Sequence, residues 1–400
     1  MRVGLMIPTL LHGGAERAIC RLSNILAEEG YEVYFIVFDA SQQFYTFSGE
    51  LIDLKLPNGK NLMDKIRVFR KRVKAVRKTK KSFNLDVVIS FIAAATFVNC
   101  LTRSSTKCIV SQRNFMSKET TSKIKKYLLR YCFHKADAVV AVAELCRLDL
   151  IENFHIPRSK VHTIYNAYDQ QQIFNQMEES IEKYHQTFFE NHTFNLVSVG
   201  RPEYQKGFWN LIKVLYLVRQ KGLDCGLTIV GDGSQLQMLE NLSSELGLEG
   251  HVQLTGYQSN PYSYIGKSDA YVMTSLFEGF PNALTEAMCC GKAIISTDCP
   301  SGPREILEGK KNLKERAVTA EFCEFGVLVP SFSDTENWKA NEFDKKHEIM
   351  SDAICELLND KKLRGKMGSK ARERAKSFSY GECLKNYEKL FLELQIGSKI

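Results

Sequence analysis

The sequence contains no CxxC, HxH or DxD pair, so its spacing holds neither a zinc ligand set nor a metal-bridging acidic pair. It also lacks an uninterrupted apolar run of 18 residues, which leaves no candidate for a helix crossing a bilayer. His12, His134 and His162 are isolated, and no Ser–His–Asp arrangement can be traced. The twelve cysteines are scattered apart from the adjacent pair Cys289-Cys290. Neighbouring cysteines are poor partners for a structural bridge, so reduced thiols in a cytoplasmic protein are expected. The opening MRVGLMIPTLLHGGAER has no small-residue cleavage pattern and is expected to form a buried first strand rather than a signal peptide.

What is present is an ordinary globular composition in a long chain. With 44% hydrophobic and 25% charged residues, collagen, disorder and coiled coil are excluded. Four hundred residues exceed one ordinary core and suit two domains of roughly 150–200 residues each. The net charge of +8 is unevenly spread: residues 1–170 hold 27 Lys and Arg against 15 Asp and Glu, and residues 171–400 hold 27 against 31. A basic half beside a faintly acidic one points to a polyanion or an anionic surface as a partner of the first half.

The apolar run RVGLMIPTL stops at Gly13-Gly14 and passes into ERAICRLSNILAEEG, in which Ile19, Leu22, Ile25 and Leu26 keep a helical spacing and Gly30 stands where a C-terminal cap belongs. YEVYFIVF follows. Strand, helix, strand with unbroken apolar strands implies a parallel sheet covered on both faces. Further strands are expected at Asp86–Phe91, Lys107–Ser111, Ala138–Val142 and Val161–Ile164. The pattern lapses over 170–193, rich in Gln, Glu, Asn and His, which reads as a connector. It then restarts with FNLVSVG, a helix from about Gly207 to Lys221, and GLTIVG. Shorter strands are expected at Val252–Leu254, Ala270–Met273, Ala293–Ser296 and Gly326–Val329. The economical account is an α/β chain of two doubly wound domains, with ligand at the carboxyl ends of the strands.

Four constellations carry candidate chemistry. His12-Gly13-Gly14-Ala15-Glu16-Arg17 follows the first strand. Its glycines permit close backbone approach and the helix start offers N–H groups to an anion, although such a pair can equally be a tight turn. Gly200-Arg201-Pro202-Glu203-Tyr204-Gln205-Lys206-Gly207 places two cations at the carboxyl edge of a strand, able to neutralise a diphosphate without a metal; a solvated loop is the bland alternative. Phe277–Met288 holds Glu278 and Glu286 with seven residues between them, on either side of a helix start marked by Pro281, with Gly291 near the helix end. Amides there suit a phosphate and carboxylates suit sugar hydroxyls, while periodicity alone would accept two ordinary helical acids. Gly231-Asp232-Gly233 marks a sharp turn after a strand.

A fifth segment, Met63–Lys81, contains ten Lys and Arg against Asp64. Lys65, Arg67, Arg70, Lys71, Arg72, Lys74, Arg77 and Lys78 are its candidate contacts to an anionic membrane, with Ile66, Val68, Phe69, Val73 and Val76 as an apolar stripe. Nucleic acid is not the expected partner, because aromatic interleaving is nearly absent. Lys118, Lys123, Lys125, Lys126 and Arg130 extend the charge.

Together GGAER (13–17), GRPEYQKG (200–207), GDG (231–233), EGFPNALTEAM (278–288) and PSGPREIL (300–307) resemble the retaining, nucleotide-sugar-dependent glycosyltransferases of family 4. The resemblance implies a GT-B architecture: two Rossmann-like domains facing a central cleft, here 1–169 for the acceptor and 194–377 for the nucleotide sugar, joined by 170–193. A terminal helix over 378–400 would pack back toward the N-terminal domain. Arg201 and Lys206 would bind the donor diphosphate, with Gly13 and Gly14 beneath the phosphates. Glu286 would bond the ribose, and Glu278 with Gly279, Phe280, Asn282 and Ala283 would hold the donor at the helix start. Gly256 and Tyr257 would contribute to the base site. No cofactor and no metal are implied, the nucleotide sugar being a co-substrate and UDP-sugar the expected one.

The chain departs from the family where many members carry a histidine near the reacting sugar; the stretch here is Ser111-Gln112-Arg113-Asn114. An Arg-Asn pair there, like PSGPREIL, resembles the branch that builds bacterial surface polysaccharides, so Arg113 or Asn114 is expected to position acceptor or sugar. The implied activity is extension of a lipid-linked glycan in O-antigen, capsule or exopolysaccharide assembly, by a peripheral protein on the inner face of the cytoplasmic membrane. Two other classes stay open: a nucleotide-sugar epimerase or hydrolase of the same fold, and a non-catalytic binder of membrane or nucleic acid.

Overall fold

The computed structural model describes residues 1–11, 13–102, 104–119, 122–309 and 313–396. Two compact units emerge, Met1–Ala167 with Tyr380–Ile400, and Tyr168–Ser379.

The first unit contains strands β1 (Arg2–Ile7), β2 (Glu32–Val37), β3 (Glu50–Asp53), β4 (Val87–Phe91), β5 (Lys107–Gln112), β6 (Ala138–Ala141) and β7 (Val161–Thr163). They form one sheet in the order β3-β2-β1-β4-β5-β6-β7, parallel throughout. Its helices are α1 (Gly14–Glu28), α2 (Leu62–Ser82), α3 (Ala93–Leu101), α4 (Met116–Glu119), α5 (Lys123–Lys135) and α6 (Glu144–Glu152). Side chains alternate across each strand, and the core divides accordingly. Val3, Leu5 and Ile7 of β1 pack with Ile19, Leu22, Ile25 and Leu26 of α1, while Met6 packs with Val76 of α2 and Ala95 and Val98 of α3. The terminal helix, Tyr380–Glu393, adds Cys383, Tyr387, Leu390 and Phe391 to the α1 side. There Tyr31 donates to Glu388 Oε1 at 3.2 Å.

The second unit repeats the plan with β8 (Phe194–Val199), β9 (Cys225–Val230), β10 (Val252–Leu254), β11 (Ala270–Met273), β12 (Ala293–Thr297), β13 (Glu321–Phe322) and β14 (Val327–Val329). The order is β10-β9-β8-β11-β12-β14-β13, with only β13 antiparallel to its neighbour. Its helices are α7 (Gln170–Met177), α8 (Lys183–Glu190), α9 (Phe208–Gln220), α10 (Leu236–Glu245), α11 (Tyr262–Lys267), α12 (Asn282–Cys289), α13 (Pro303–Leu307), α14 (Lys345–Asn359) and α15 (Lys361–Ala375), after which α16 (Tyr380–Glu393) returns to the first unit. Trp209, Leu211, Ile212 and Leu215 of α9 sink into the core between the sheet and α14.

Three differences from the sequence reading have physical causes. Residues 170–193 are not a patternless connector: α7 and α8 occupy them and belong to the second unit. Of their scattered apolar residues only Ile173 and Phe189 are fully buried, with His185 beside them. The edge strand β3 escaped notice because its four residues, ELID, are too short and too exposed to show a run. Arg72 is not a surface cation available to a membrane. It is buried on α2 and donates through Nε and Nη2 to the Leu56 carbonyl at 2.9 and 2.6 Å. Nη2 also donates to Asn58 Oδ1 at 3.1 Å. Its guanidinium lies 4.4 Å from the centre of the Phe38 ring. Arg72→Ala should therefore lower the stability of this unit by about 1.5–3 kcal/mol, the scale of lost hydrogen bonds to a charged group. Lys71→Ala and Lys74→Ala, both exposed, should shift it by less than about 0.5 kcal/mol. Urea melts of the three variants check the contrast.

Candidate active site

The strand order of the second unit reverses between β8 and β11. In an open parallel sheet that reversal opens a crevice at the carboxyl ends of the two strands, the place where such sheets bind ligand. The loop after β8 carries Arg201 and Lys206; the loop after β11 carries Glu278.

Lys206 and Glu278 meet there. The ammonium donates to Glu278 Oε1 at 2.6 Å, Ser275 Oγ donates to the same oxygen at 2.8 Å, and Gln205 Nε2 reaches Oε2 at 3.3 Å. Glu278 is buried, so three donors replace the water it has lost. The two loops are tied at several points. Leu276 N donates to the Gln205 carbonyl at 2.8 Å, Gln205 Nε2 donates to the Phe277 carbonyl at 2.8 Å, and Thr274 Oγ1 donates to the Lys206 carbonyl at 3.0 Å. Gly207 lets the β8 loop turn into α9 with φ +60°, and a Cβ there would stand 2.7 Å from the Thr274 carbonyl oxygen. Arg201 is exposed on the same loop. Its neighbour Glu203 accepts from Ser234 N at 3.0 Å and Ser234 Oγ at 2.7 Å. Those bonds hold its carboxyl below the usual carboxylate range, with Arg201 adding to the effect.

The helix α12 starts at Asn282, four residues beyond Glu278. A helix leaves its first amides without intrahelical acceptors, so Ala283 and Leu284 present donors on the same segment. Glu286, one turn further in, is buried and accepts from Tyr262 Oη at 3.3 Å. Asn282 accepts from Tyr168 Oη at 2.6 Å. Gly256 accepts from Gly231 N at 2.9 Å, which joins the turn after β9 to the loop carrying Tyr257. Thus Arg201, Lys206, Gly256, Tyr257, Glu278, Gly279, Phe280, Asn282, Ala283 and Glu286 all sit on loops or helix starts at the carboxyl end of one sheet.

The remaining candidates belong to the first unit. Gly13 caps α1 and Gly14 is its first residue; His12 lies outside the described residues. Arg113 is engaged within its unit. It bonds Asn166 Oδ1 and donates to Ser111 Oγ at 3.2 Å. Its guanidinium stands 5.0 Å from the Phe91 ring centre. The Asn114 carbonyl accepts from Gln112 Nε2 at 3.0 Å. Among the described residues no helix is long and apolar enough to cross a membrane.

Three supporting residues went unnoticed in the sequence: Ser275 and Gln205, which hold Glu278, and Tyr262, which holds Glu286. Gln205 lay inside a motif already singled out. Ser275 stands only three residues before Glu278 on the same loop, whereas Tyr262 reaches Glu286 from α11 through a contact that spacing does not encode.

Comparison with known proteins bears on the family and the fold. The family model described as "Glycosyltransferase Family 4" matches residues 12–172, and that described as "Glycosyl transferases group 1" matches residues 180–320. An uncharacterized glycosyltransferase of Methanocaldococcus jannaschii is 30% identical over 275 residues, 68% of this chain and 67% of its own length. A Campylobacter jejuni protein is 26% identical over 401 residues, 99% of both chains. It is named GalNAc-alpha-(1->4)-GalNAc-alpha-(1->3)-diNAcBac-PP-undecaprenol alpha-1,4-N-acetyl-D-galactosaminyltransferase. Anabaena HepE, solved with UDP and glucose, superposes with a TM-score of 0.77 at 16% identity, over 98% of this chain and all of its own. The fold is therefore that of the GT-B glycosyltransferases, with two Rossmann-like domains. Within that class, the chain belongs to glycosyltransferase family 4, as its motif set led one to expect.

Proposed function

We propose that this glycosyltransferase moves a hexose or N-acetylhexosamine from a UDP-sugar to a lipid-linked oligosaccharide, with retention at the anomeric carbon, in the assembly of a bacterial surface polysaccharide. The observation that carries the reading is the Lys206–Glu278 pair beside the start of α12, at the switch point of the second sheet. In the reaction, Arg201, Lys206 and the first amides of α12 receive the charge that develops on the departing diphosphate. Glu278 and Glu286 accept hydrogen bonds from sugar and ribose hydroxyls, and Gly256 and Tyr257 flank the base. The acceptor hydroxyl attacks the face that the diphosphate leaves, and a phosphate oxygen takes its proton, so no side chain of the enzyme need become covalently attached. Arg113 and Asn114 are assigned to acceptor or sugar positioning. The lipid-linked acceptor is supported by what the Campylobacter jejuni relative is named for.

An anionic membrane is the proposed surface of action, on the cytoplasmic side. Its contacts are the exposed cations of α2: Lys65, Arg67, Arg70, Lys71, Lys74, Arg77 and Lys78.

The test is a donor screen against a pool of lipid-diphosphate-linked glycans, read by mass, with the anomeric configuration of the product read by NMR. One α-linked sugar added from one α-configured UDP-sugar is the expected result, and a chelator should change the rate by less than about twofold because fixed cations take the place of a divalent ion. Rapid turnover of the UDP-sugar without acceptor would instead mark an epimerase or hydrolase, and an inverted product would overturn the same-face displacement.

A further inference from the structure

The exposed side chains of α5 do not fit an ordinary solvated helix. Ile124, Tyr127, Leu128 and Tyr131 are 76, 71, 46 and 48% exposed. Single exposed apolar residues are common on protein surfaces, but contiguous stripes mark contact surfaces. At 100° per residue these four fall on one face, opposite the buried Leu129 and Phe133.

The surroundings of that stripe identify what it touches. Lys123, Lys125, Arg130 and Lys135 lie on the same helix, which has no acidic residue. Two copies docked through this face would bring like charge against like charge, and the cores of protein interfaces are depleted in lysine. An anionic lipid surface accepts both components. Tyrosine places an apolar ring and a polar tip at the headgroup level, and lysine stems extend along apolar surface to reach phosphates. Thirteen residues span about 20 Å as a helix, too short to cross the hydrocarbon, so such a helix lies in the plane of the interface. The short helix α3 packs against both α2 and α5, so the three form one layer on one face of the first sheet. The first turns of α2 add exposed Leu62, Met63 and Ile66 to that layer.

We propose that α5 is the inserting element of this layer, its Ile124–Tyr131 stripe entering the headgroup region of an anionic bilayer while the cations of α2 bind lipid charge from above it. This rests on the membrane reading given under the proposed function, but it assigns the apolar contact to a different helix from the one that cation counting selects.

Vesicles of phosphatidylglycerol and phosphatidylethanolamine, sedimented with the full chain at low and high salt, separate the two assignments. The variant Ile124→Ser/Tyr127→Ser/Leu128→Ser should lose about 10- to 100-fold in partition coefficient, with the loss persisting at high salt, as expected for apolar burial. Lys71→Ala/Lys74→Ala should lose affinity at low salt only. Tyr127→Trp reports insertion independently of folding losses: a blue-shifted emission, quenched by lipids brominated on the acyl chain, is expected. If the serine variant binds like the wild type, or the new tryptophan is not quenched, the α5 assignment is wrong even though the α2 result upholds membrane binding. If the wild type binds neither neutral nor anionic vesicles, the membrane reading itself fails. A wild-type dimer that the serine variant converts to monomer would overturn the proposal in favour of a second copy as occupant.

Discussion

Replacing Lys206 by alanine should lower kcat/KM by about 100- to 1000-fold, the usual cost of removing one preorganised group that stabilises transition-state charge. The ammonium sits 2.6 Å from Glu278 Oε1 before any donor arrives, so its position is fixed in advance, and little reorganisation is left for the moment of bond cleavage. The same pairing predicts how the loss divides. An incoming diphosphate stands near a buried carboxylate, and without Lys206 the repulsion acts on the bound donor as well as on the transition state. KM should therefore rise, with most of the loss still in kcat. The variant should also be less stable, yet by less than the ~3–5 kcal/mol typical of an orphaned buried charge, because Ser275 and Gln205 continue to donate to Glu278. Lys206→Ala/Glu278→Gln tests the argument. It should recover much of the stability and none of the turnover. Single-turnover assays with saturating donor read the kcat part directly. A Lys206→Ala enzyme within about threefold of the wild type would mean that the diphosphate leaves elsewhere.

The contrast between Lys206 and Arg72 shows what a sequence can convey about cations. Lys206 follows a strand within a glycine-bounded turn, and in a doubly wound sheet every such loop emerges at the ligand edge, so chain order alone placed it. Arg72 sits in a run of ten cations whose composition argues for an anionic surface, yet it shares the buried face of α2 with Val76 and Lys80. The i, i+4, i+8 spacing of those three residues carried the warning. What the sequence could not convey was a carbonyl acceptor at Leu56, offered by a loop that has no regular pattern. Lys80 repeats the case, its Nζ bonded to Asn99 Oδ1 at 2.7 Å. The exposed apolar stripe on α5 was hidden for the opposite reason. Its apolar residues would serve equally well in a core, and only the packing of Leu129 and Phe133 decides which side of the helix stays outside. Motifs built on glycine, proline and strand ends were legible because their constraint is local, whereas the partners of Glu278 and Glu286 depend on which loops the fold brings side by side.

The segment that follows β12 should be as sensitive as the loops of the candidate site, although none of its residues is assigned to substrate. Glu278 N donates to the Pro300 carbonyl at 3.2 Å, and Ser301 Oγ donates to the Gly279 carbonyl at 2.8 Å, so residues 300–302 act as a strut beneath Glu278–Pro281. Gly302 makes the strut possible. Its φ of +93° disfavours an L side chain, and a Cβ there would overlap Pro281 Cδ and stand 3.1 Å from the Gly279 oxygen. Gly302→Ala must either strain the turn, at about 1–3 kcal/mol, or push the 279–281 segment away from its place before α12. In the second case the amides proposed to receive the diphosphate move with it, and a displacement near 1 Å is enough to cost about 100-fold in rate. Ser301→Ala removes one hydrogen bond without adding bulk and should cost less than about tenfold. The pair distinguishes positioning from general loss of structure. Gly302→Ala should bind UDP by calorimetry with an affinity closer to that of the wild type than its turnover is, since the proposed donor site draws also on Glu286 and the 255–257 loop. Turnover by Gly302→Ala equal to that of the wild type, in a protein that melts at the wild-type temperature, would show that the strut does not hold the donor loop.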